Sequence, residues 1–430
     1  MSEPALRPDA PPRAPLRVAL LGYRSNPFSG GQGVYLKYLS RALADAGHQV
    51  DVISGEPYPE LDARVRLVKL PGLNLYAAAN HVTALRPHHF RSATDLFEWW
   101  SMLTGGFPEP YTFGRRLVRH FRDLARRGAG YDIVHDNQSL SWGVLSLQRQ
   151  GIPLVATIHH PITWDRDIAL AHASDWGHRL LIRRWHNFLG MQTRVAGRLQ
   201  QIVTVSERSK RDICSAFDIR PERIRVIANG IDTDTFRPEP GVTRDPWQLV
   251  TTASADQPLK GTQYLIPAFA TLCQQFPQLR LVFVGKPKPG GSTEALIRGL
   301  GVGDRIEFRH GISADEFRAL YARSSIAVVP SEYEGFGLPA GEAMACGTPV
   351  VSTDGGALPE VVGNAGRIVP ARNPAALTQA IGELLGNPAE RARLGGLGRA
   401  RMLERFSWTR AAAALTELYR ERLAAREGRR

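Results

Sequence analysis

The segment SIAVVPSEYEGFGLPAGEAMACGTPVVSTD, residues 325–354, has the order of a strand, a glycine-rich turn, a helix and a second strand. Its two outer runs, SIAVVPS (325–331) and PVVSTD (349–354), each contain consecutive β-branched apolar residues, as in strands that are covered on both faces. Such strands belong to a parallel sheet, in which crossover helices join successive strands. The segment therefore predicts an α/β protein with a doubly wound architecture.

The same alternation of short β-branched runs and helical stretches extends over nearly the whole chain. Eight further strands are predicted, at 16–23, 48–54, 131–137, 152–159, 202–206, 248–254, 280–285 and 305–311. A turn-rich segment, 226–247, separates two groups of strands and marks a linker. We expect a disordered leader at 1–15, a first domain at 16–238, a second domain at 246–406 and an amphipathic C-terminal helix at 407–430.

The composition fits a cytoplasmic protein of two domains. A chain of 430 residues is long for one core, and a hydrophobic fraction of 43% is ordinary for a globular protein. No stretch approaches the roughly 18 apolar residues of a membrane-spanning helix, and the proline-rich start is not a signal peptide. The three cysteines lie far apart, as expected of reduced thiols, and no Cys/His cluster has zinc-site spacing.

The chain is basic, with 54 Lys and Arg against 41 Asp and Glu. This excess has two readings, a coding bias toward arginine or attraction to an anionic partner such as phosphates or an anionic membrane. Arginines and aromatic residues concentrate at 86–127, and a second arginine cluster occupies 178–211. We find no nucleic-acid-binding motif, so nucleic acid is not an expected partner.

Glycine-rich turns occur at two predicted strand ends. Gly30 and Gly31 stand between the first strand and a helix, where bare backbone N–H groups and the helix dipole attract an anion. The turn lacks the full dinucleotide fingerprint and its ribose-binding acid, which disfavours NAD.

Two carboxylates flank the turn in the second half. Glu334 lies in the loop, and Glu342 lies about one turn (3.6 residues) into the following helix. Between them, the N–H groups of Phe336, Gly337 and Leu338 can face a phosphate. One carboxylate suits the hydroxyls of a ribose, and the other suits those of a sugar.

These residues carry a resemblance to the retaining glycosyltransferases of family four, the glycosyl transferases of group 1. It rests on strings in a fixed order over residues 16–425: GGQG, GHQVDVIS, ATIHH, VSERSKRD, VIANGID, LKG and the long segment that begins at Pro330. The resemblance implies the GT-B fold, with two Rossmann-like domains facing each other across a cleft. It also implies that the C-terminal helix crosses back to the N-terminal domain.

The resemblance also implies roles for individual residues. Glu334 would bond the transferred sugar, and Glu342 would hold the ribose. Lys260, with the amides of Phe336, Gly337 and Leu338, would bind the diphosphate, and the loop of Gly30 and Gly31 would close over it. His159 would touch the donor sugar. We expect at most one of His159 and His160 to face the cleft, and favour His159.

One position departs from the family's pattern. The family usually has an arginine five or six residues before the phosphate-binding lysine, where this chain has Ala255 and Ser254. Lys286, Lys288 or Arg309 is expected to substitute, because each follows or ends a neighbouring strand.

The resemblance thus implies a nucleotide-sugar-dependent hexosyltransferase that retains anomeric configuration and needs neither metal nor cofactor. Its partners would be a nucleotide-sugar donor and an acceptor that is a glycan, a lipid or a small molecule. The basic and aromatic clusters favour a lipid or lipid-linked acceptor and peripheral attachment to the inner face of the cell membrane. The alternatives are a soluble acceptor, a nucleotide-sugar epimerase, or a non-catalytic scaffold subunit that binds nucleotide-sugars.

Overall fold

A computed structural model describes residues 14–26, 31–78, 80, 82, 84–173, 175–253 and 255–428. These residues form two parallel sheets, and each sheet is covered by helices. The expected fold class is therefore confirmed.

The first sheet has seven strands in the order β3-β2-β1-β4-β5-β6-β7, and every neighbouring pair is parallel. The strands are β1 Arg17–Gly22, β2 Gln49–Ser54, β3 Arg66–Lys69, β4 Ile133–Asn137, β5 Leu154–Thr157, β6 Ile202–Thr204 and β7 Ile224–Val226. The order reverses between β1 and β4, and ligands of such sheets bind at the carboxyl ends of the strands at this point.

The second sheet has six strands in the order β10-β9-β8-β11-β12-β13, again all parallel. They are β8 Asp245–Thr252, β9 Arg280–Val284, β10 Ile306–Arg309, β11 Ser324–Val329, β12 Val350–Thr353 and β13 Arg367–Val369. Here the order reverses between β8 and β11, and the carboxyl end of β11 leads into the glycine-rich turn of the second half.

Sixteen helices connect or follow the strands in the described residues. They are α1 Gly31–Asp45, α2 Ala93–Leu103, α3 Glu109–Arg126, α4 Trp142–Arg149, α5 Thr163–Ala171, α6 Trp176–Trp185, α7 Leu189–Ala196, α8 Glu207–Phe217, α9 Thr262–Gln275, α10 Ser292–Leu300, α11 Ala314–Arg323, α12 Leu338–Ala345, α13 Leu358–Val362, α14 Pro374–Leu385, α15 Pro388–Arg405 and α16 Trp408–Glu427.

Alternate residues of each central strand pack on opposite faces of its sheet. In β1, Ala19 and Leu21 join one core cluster, whereas Val18 and Leu20 join another that also contains α1 and α16 residues. Both faces are thus buried, which explains why the strands read as continuous apolar runs rather than as alternating ones.

The C-terminal helix packs on the first sheet, as predicted. Trp408 and Tyr419 of α16 are buried with residues of β1 and α1, and His135 of β4 shares a hydrogen bond with the Tyr419 hydroxyl. The linker at 226–247 contacts the segment that leads into α16. The Ile231 N–H in the linker donates a hydrogen bond to the Phe406 carbonyl at 2.8 Å.

The expectation of ten strands was incomplete, since the structure has three more. β3, β7 and β13 are the missed strands, and each lies at an edge of its sheet. An edge strand needs neither length nor a continuous apolar run, and RLVK, IRV and RIV have only three or four residues each.

Candidate active site

The loops that follow the central strands of both sheets meet at the contact between the domains. The Gly335 carbonyl, in the loop after β11, accepts hydrogen bonds from the hydroxyls of Ser206 and Ser209, both at 3.1 Å. A Cβ at Gly335 would lie only 3.0 Å from the His159 carbonyl in the loop after β5. The candidate residues of both halves are therefore brought to one place.

Lys260 and Glu334 form an ion pair at the centre of this region. The Lys260 Nζ lies 2.7 Å from Glu334 Oε1, which also accepts a hydrogen bond from the Ser331 hydroxyl at 2.8 Å. The two charged side chains are only 23% and 12% exposed, so solvent screens them weakly. The pairing joins residues that are 74 positions apart in the chain.

The backbone explains why a glycine follows this lysine. Gly261 has a φ of 69°, in the left-handed region, and a Cβ there would lie 1.9 Å from the Pro330 carbonyl oxygen. Only glycine permits this close approach, which places Lys260 beside the loop that carries Glu334.

The turn before α12 presents unpaired donors. Among the described residues, no acceptor bonds the N–H groups of Phe336, Gly337 and Leu338, and α12 begins at Leu338. Gly337 has a φ of 101°, which orients the chain for the helix start. These N–H groups and the positive end of α12 can hold an anion.

Glu342 lies in α12, one turn from its start, as the sequence predicts. Burial, and then the neighbouring charge of Asp232, raise the pKa of Glu342 to about 8. No side-chain hydrogen bond to Glu342 is found in the part of the chain that the structure describes. With a pKa of about 8, the carboxyl group is mostly protonated at neutral pH, and its contact with a ribose stays a prediction.

The two adjacent histidines have different surroundings. His159 Nε2 lies 2.7 Å from Asn137 Oδ1, and its ring packs edge-on against Tyr35 at 4.7 Å. Burial, helped by the neighbouring His160 and His135, lowers the pKa of His159 to about 3, so the ring is neutral.

His160 contacts the glutamate loop more directly than the sequence suggested. Its Nε2 lies 2.8 Å from Asp165, and its Nδ1 lies 3.1 Å from where a Cβ at Gly335 would stand. Burial lowers the pKa of His160, but the charge and hydrogen bond of Asp165 outweigh burial and raise it. Contact of His159 with the donor sugar stays a prediction.

The first glycine-rich turn is only partly described. Gly30 lies outside the described residues. Gly31 begins α1, and no neighbouring atom lies within 4 Å of the position that a Cβ on Gly31 would take. The glycine that the packing requires is Gly33, where a Cβ would lie 2.1 Å from the Asn26 carbonyl oxygen. The Gln32 carbonyl accepts a hydrogen bond from Asn137. Asn137 also bonds His159, so it contacts both this turn and the histidine.

The three cations expected to replace the missing arginine differ in position. Ser254 lies outside the described residues, and Ala255 is buried. Lys286 and Lys288 are exposed after β9, whereas Arg309 ends β10 and pairs with Glu307 at 2.7 Å. The Arg309–Glu307 pair is exposed and therefore weak, so substitution by Lys286, Lys288 or Arg309 stays a prediction.

Sequence reasoning missed Gln138, which holds both histidines in place. Its Oε1 accepts the His159 N–H at 2.7 Å, and its Nε2 donates to the His160 carbonyl at 2.8 Å. Gln138 itself has a φ of 54°, a conformation that non-glycine residues rarely adopt. Nothing in the local sequence marks this residue, because its partners lie 21 and 22 positions away.

The domain contact was also not visible in the sequence. Trp164 stacks on Tyr333 at 5.7 Å between ring centres, and the Tyr333 hydroxyl bonds Asp212 at 2.8 Å. The Glu360 carboxylate accepts the N–H groups of Glu207 and Arg208 at the start of α8.

The chain matches known families over most of its length. Residues 29–235 match the family Glycosyltransferase Family 4, and residues 232–401 match the family Glycosyl transferases group 1. It is 46% identical to the MMP alpha-(1->4)-mannosyltransferase of Mycolicibacterium hassiacum, over 95% of this chain and 99% of that protein. It is 30% identical to the D-inositol 3-phosphate glycosyltransferase of Streptomyces bingchenggensis, over 95% of this chain and 90% of that protein.

Solved structures show the same fold. The sucrose-phosphate synthase of Thermosynechococcus elongatus superposes with a TM-score of 0.72 and 26% identity, over 95% of this chain and 99% of that one. Anabaena HepE in complex with UDP and glucose superposes with a TM-score of 0.68 and 20% identity, over 94% of this chain and 99% of that one.

Proposed function

The chain belongs to glycosyltransferase family 4, and from that premise we propose that it transfers mannose from a nucleotide-mannose donor to a glycan acceptor. Glycosyl transfer is the activity of the family, and the choice of mannose rests on the mannosyltransferase that is 46% identical. We propose further that the reaction retains anomeric configuration and needs no metal ion.

One observation carries this proposal, the Lys260–Glu334 pair beside the open N–H groups at the start of α12. The cation and the helix start would bind the diphosphate, where negative charge develops as the bond to the sugar breaks. The Glu334 carboxylate would accept hydrogen bonds from sugar hydroxyls, and Glu342 would accept those of the ribose. This arrangement supplies the charge stabilisation that a metal ion would otherwise give.

In the proposed step, the bond between the sugar's anomeric carbon and the phosphate oxygen breaks. The acceptor hydroxyl forms a new bond to that carbon on the same face, and its proton moves to the departing phosphate oxygen. Neutral His159 cannot act as a cationic acid near pH 7, since its pKa is about 3. It would therefore orient a hydroxyl group by hydrogen bonding.

The test is turnover of GDP-mannose, UDP-glucose and ADP-glucose, with and without an α-(1→4)-linked mannobiose acceptor and with and without EDTA. Release of nucleoside diphosphate measures the rate, and proton NMR of the product reports its anomeric configuration. We expect GDP-mannose turnover that needs the acceptor, survives EDTA and gives an α-linked product. Glu334→Gln should lower kcat, whereas Glu404→Gln, an exposed substitution in α15, should leave it unchanged.

Each arm can contradict one part of the proposal. Turnover of a glucose nucleotide alone would refute the choice of mannose, and loss of turnover in EDTA would refute metal independence. A β-linked product would refute retention. Conversion of the donor into an epimeric nucleotide-sugar, seen by proton NMR without acceptor and without net release of nucleoside diphosphate, would favour an epimerase.

An exposed apolar surface between α2 and α6 supports a second candidate acceptor, a lipid or lipid-linked glycan. None of the residues of α6 is buried. Arg184 of α6 donates a hydrogen bond at 2.7 Å to Thr104, the residue that directly follows α2. The large apolar side chains that these helices expose are Phe97, Trp100, Leu103, Trp176, Leu180 and Leu181. We propose that this apolar surface attaches the protein peripherally to the inner face of the cell membrane. In the described ranges, no helix is long and apolar enough to cross a membrane.

Vesicle sedimentation tests this second candidate. We expect the protein to pellet with phosphatidylglycerol vesicles at low salt, and Trp176→Ala to weaken that binding because Trp176 is 80% exposed. Failure of the wild type to pellet would leave the soluble glycan acceptor as the only proposal.

A further inference from the structure

A groove runs between α3 and α4 in the first domain. The two helices approach closely at Gly114 and Gly143, where a Cβ on Gly143 would lie 2.2 Å from the Gly114 carbonyl oxygen. The walls of the groove carry two aromatic side chains, Tyr111 and Trp142, and three arginines, Arg115, Arg119 and Arg122. None of the residues that line the groove is acidic.

The three arginines form one stripe along α3. Their spacing of four and then three residues places them on one helix face, about 6 Å and 4.5 Å apart along the axis. All three are exposed, and no carboxylate pairs with them in the part of the chain that the structure describes. Arg116, on a different face of α3, is instead held by Asp95 and Glu98.

The aromatic end of the groove lies at the same edge of the first sheet as the candidate active site. α4 begins at Trp142, directly after the loop whose Gln138 bonds the backbone of His159. Helices of a parallel sheet run antiparallel to its strands, so the N-terminal ends of α3 and α4 lie at the carboxyl edge of the sheet. The groove therefore starts at the same edge of the sheet as the site and leads away from that edge, with the aromatic residues first and the arginines behind them.

We propose that this groove binds an acidic saccharide chain, whose sugars stack on the aromatic rings and whose carboxylate, sulfate or phosphate groups bind the arginines. The planar guanidinium group bonds such anions through two parallel N–H donors. The Tyr111 ring packs against Phe97 of α2 at 5.1 Å between ring centres. Tyr and Trp rings combine apolar faces with a polar edge, a combination that suits sugar rings. The inference rests on the proposed function in one respect only, namely that the bound saccharide would be an extension of the acceptor.

The side chains of the groove favour a saccharide over a bilayer. Trp142 is the only groove residue among the exposed large apolar side chains of the described residues, and three of the other groove residues are arginines. A membrane-binding surface needs apolar groups that protrude together, and those lie instead on α2 and α6. The stripe of unpaired arginines thus fits a soluble polyanion that can follow the groove.

Fluorescence anisotropy with a labelled heparin-derived hexasaccharide tests the proposal directly. Wild-type protein should bind this probe at about 50 mM salt and bind it more weakly at about 300 mM, because salt screens exposed charges. The triple variant Arg115→Gln, Arg119→Gln, Arg122→Gln should bind at least about fivefold more weakly. The neutral probe mannohexaose should bind more weakly than the acidic one to the wild type.

The matched control removes the same charge elsewhere. Arg220, Arg298 and Arg323 are exposed and lie outside the groove, so their triple substitution by Gln should leave probe binding unchanged. Thermal melts of both variants check that each remains folded. Equal weakening by the two triple variants would overturn the proposal, since attraction would then depend on net charge alone.

Two further outcomes would also overturn it. One is the absence of probe binding to the wild type at low salt. The other is binding of phosphatidylglycerol vesicles through these arginines without binding of the saccharide, which would make the groove a membrane contact. The binding measurement needs no turnover, so it tests the groove even if the chain transfers no mannose.

Discussion

Substitution of Glu342 should change how nucleotide binding depends on pH. Burial and the charge of Asp232 raise the pKa of Glu342 to about 8, so the free protein carries a protonated side chain at neutral pH. A ribose that donates two hydrogen bonds is bound best by the ionised carboxylate. Nucleotide binding should therefore expel the Glu342 proton.

The size of the effect follows from this pKa. With a pKa of about 8, about one molecule in eleven has ionised Glu342 at pH 7, and about ten in eleven at pH 9. If only the ionised form binds, the apparent affinity rises about tenfold over this range. About 0.9 proton should be released per nucleotide bound at pH 7.

Isothermal titration calorimetry measures both quantities. The ligand is the nucleoside diphosphate of the preferred donor, titrated at several pH values in buffers of different ionisation enthalpy. Glu342→Gln should bind with an affinity that is nearly independent of pH, and the difference between the two proteins cancels any titration of the nucleotide itself. Asp232→Asn should move the rise in affinity to lower pH, because a neighbouring negative charge is removed.

Two results would refute this reasoning. A wild-type affinity that stays constant between pH 7 and 9 would show that the protonation state of Glu342 does not control binding. The same pH dependence in Glu342→Gln and in the wild type would assign the titration to another group.

Three further changes test other contacts. Lys260→Met should lower kcat about 100-fold or more, because it removes the cation that we propose binds the diphosphate, and it should also lower the melting temperature, because part-buried Glu334 loses its partner. Trp164→Ala should loosen the domain contact by about 1 kcal/mol through loss of its stacking on Tyr333, seen as a larger radius of gyration in small-angle X-ray scattering. Tyr419→Phe should lower the free energy of unfolding by about 1–3 kcal/mol in urea titrations, since buried His135 loses a hydrogen-bond partner.

Matched variants control these three measurements. Lys260→Arg keeps the charge and should recover part of the lost kcat. Trp176→Ala, which changes an exposed side chain, should not alter the radius of gyration. Glu417→Gln, on the exposed side of α16, should not alter the free energy of unfolding. If Trp176→Ala changed the radius of gyration as much as Trp164→Ala does, the result would contradict the role of the stacking contact. If Glu417→Gln lowered the free energy of unfolding as much as Tyr419→Phe does, the result would contradict the role of the hydrogen bond.

The sequence by itself determined the fold class and the local placement of the two glutamates that are predicted to face the donor. Continuous apolar runs such as 325–331 reveal parallel strands because both faces of those strands are buried. The glycine-rich turn and the spacing of Glu334 and Glu342 are local features, so they place one carboxylate in a loop and the other in α12 without knowledge of any distant contact.

Tertiary structure alone decided what lies beside these residues. The edge strands β3, β7 and β13 are recognisable only through the neighbour with which each pairs. The bond between Lys260 and Glu334 spans 74 positions, and Gln138 reaches the histidines through an unusual backbone angle. The raised pKa of Glu342 likewise depends on burial and on Asp232. A local pattern records the periodicity of a helix or strand, but burial and electrostatic interaction depend on which distant segments pack together.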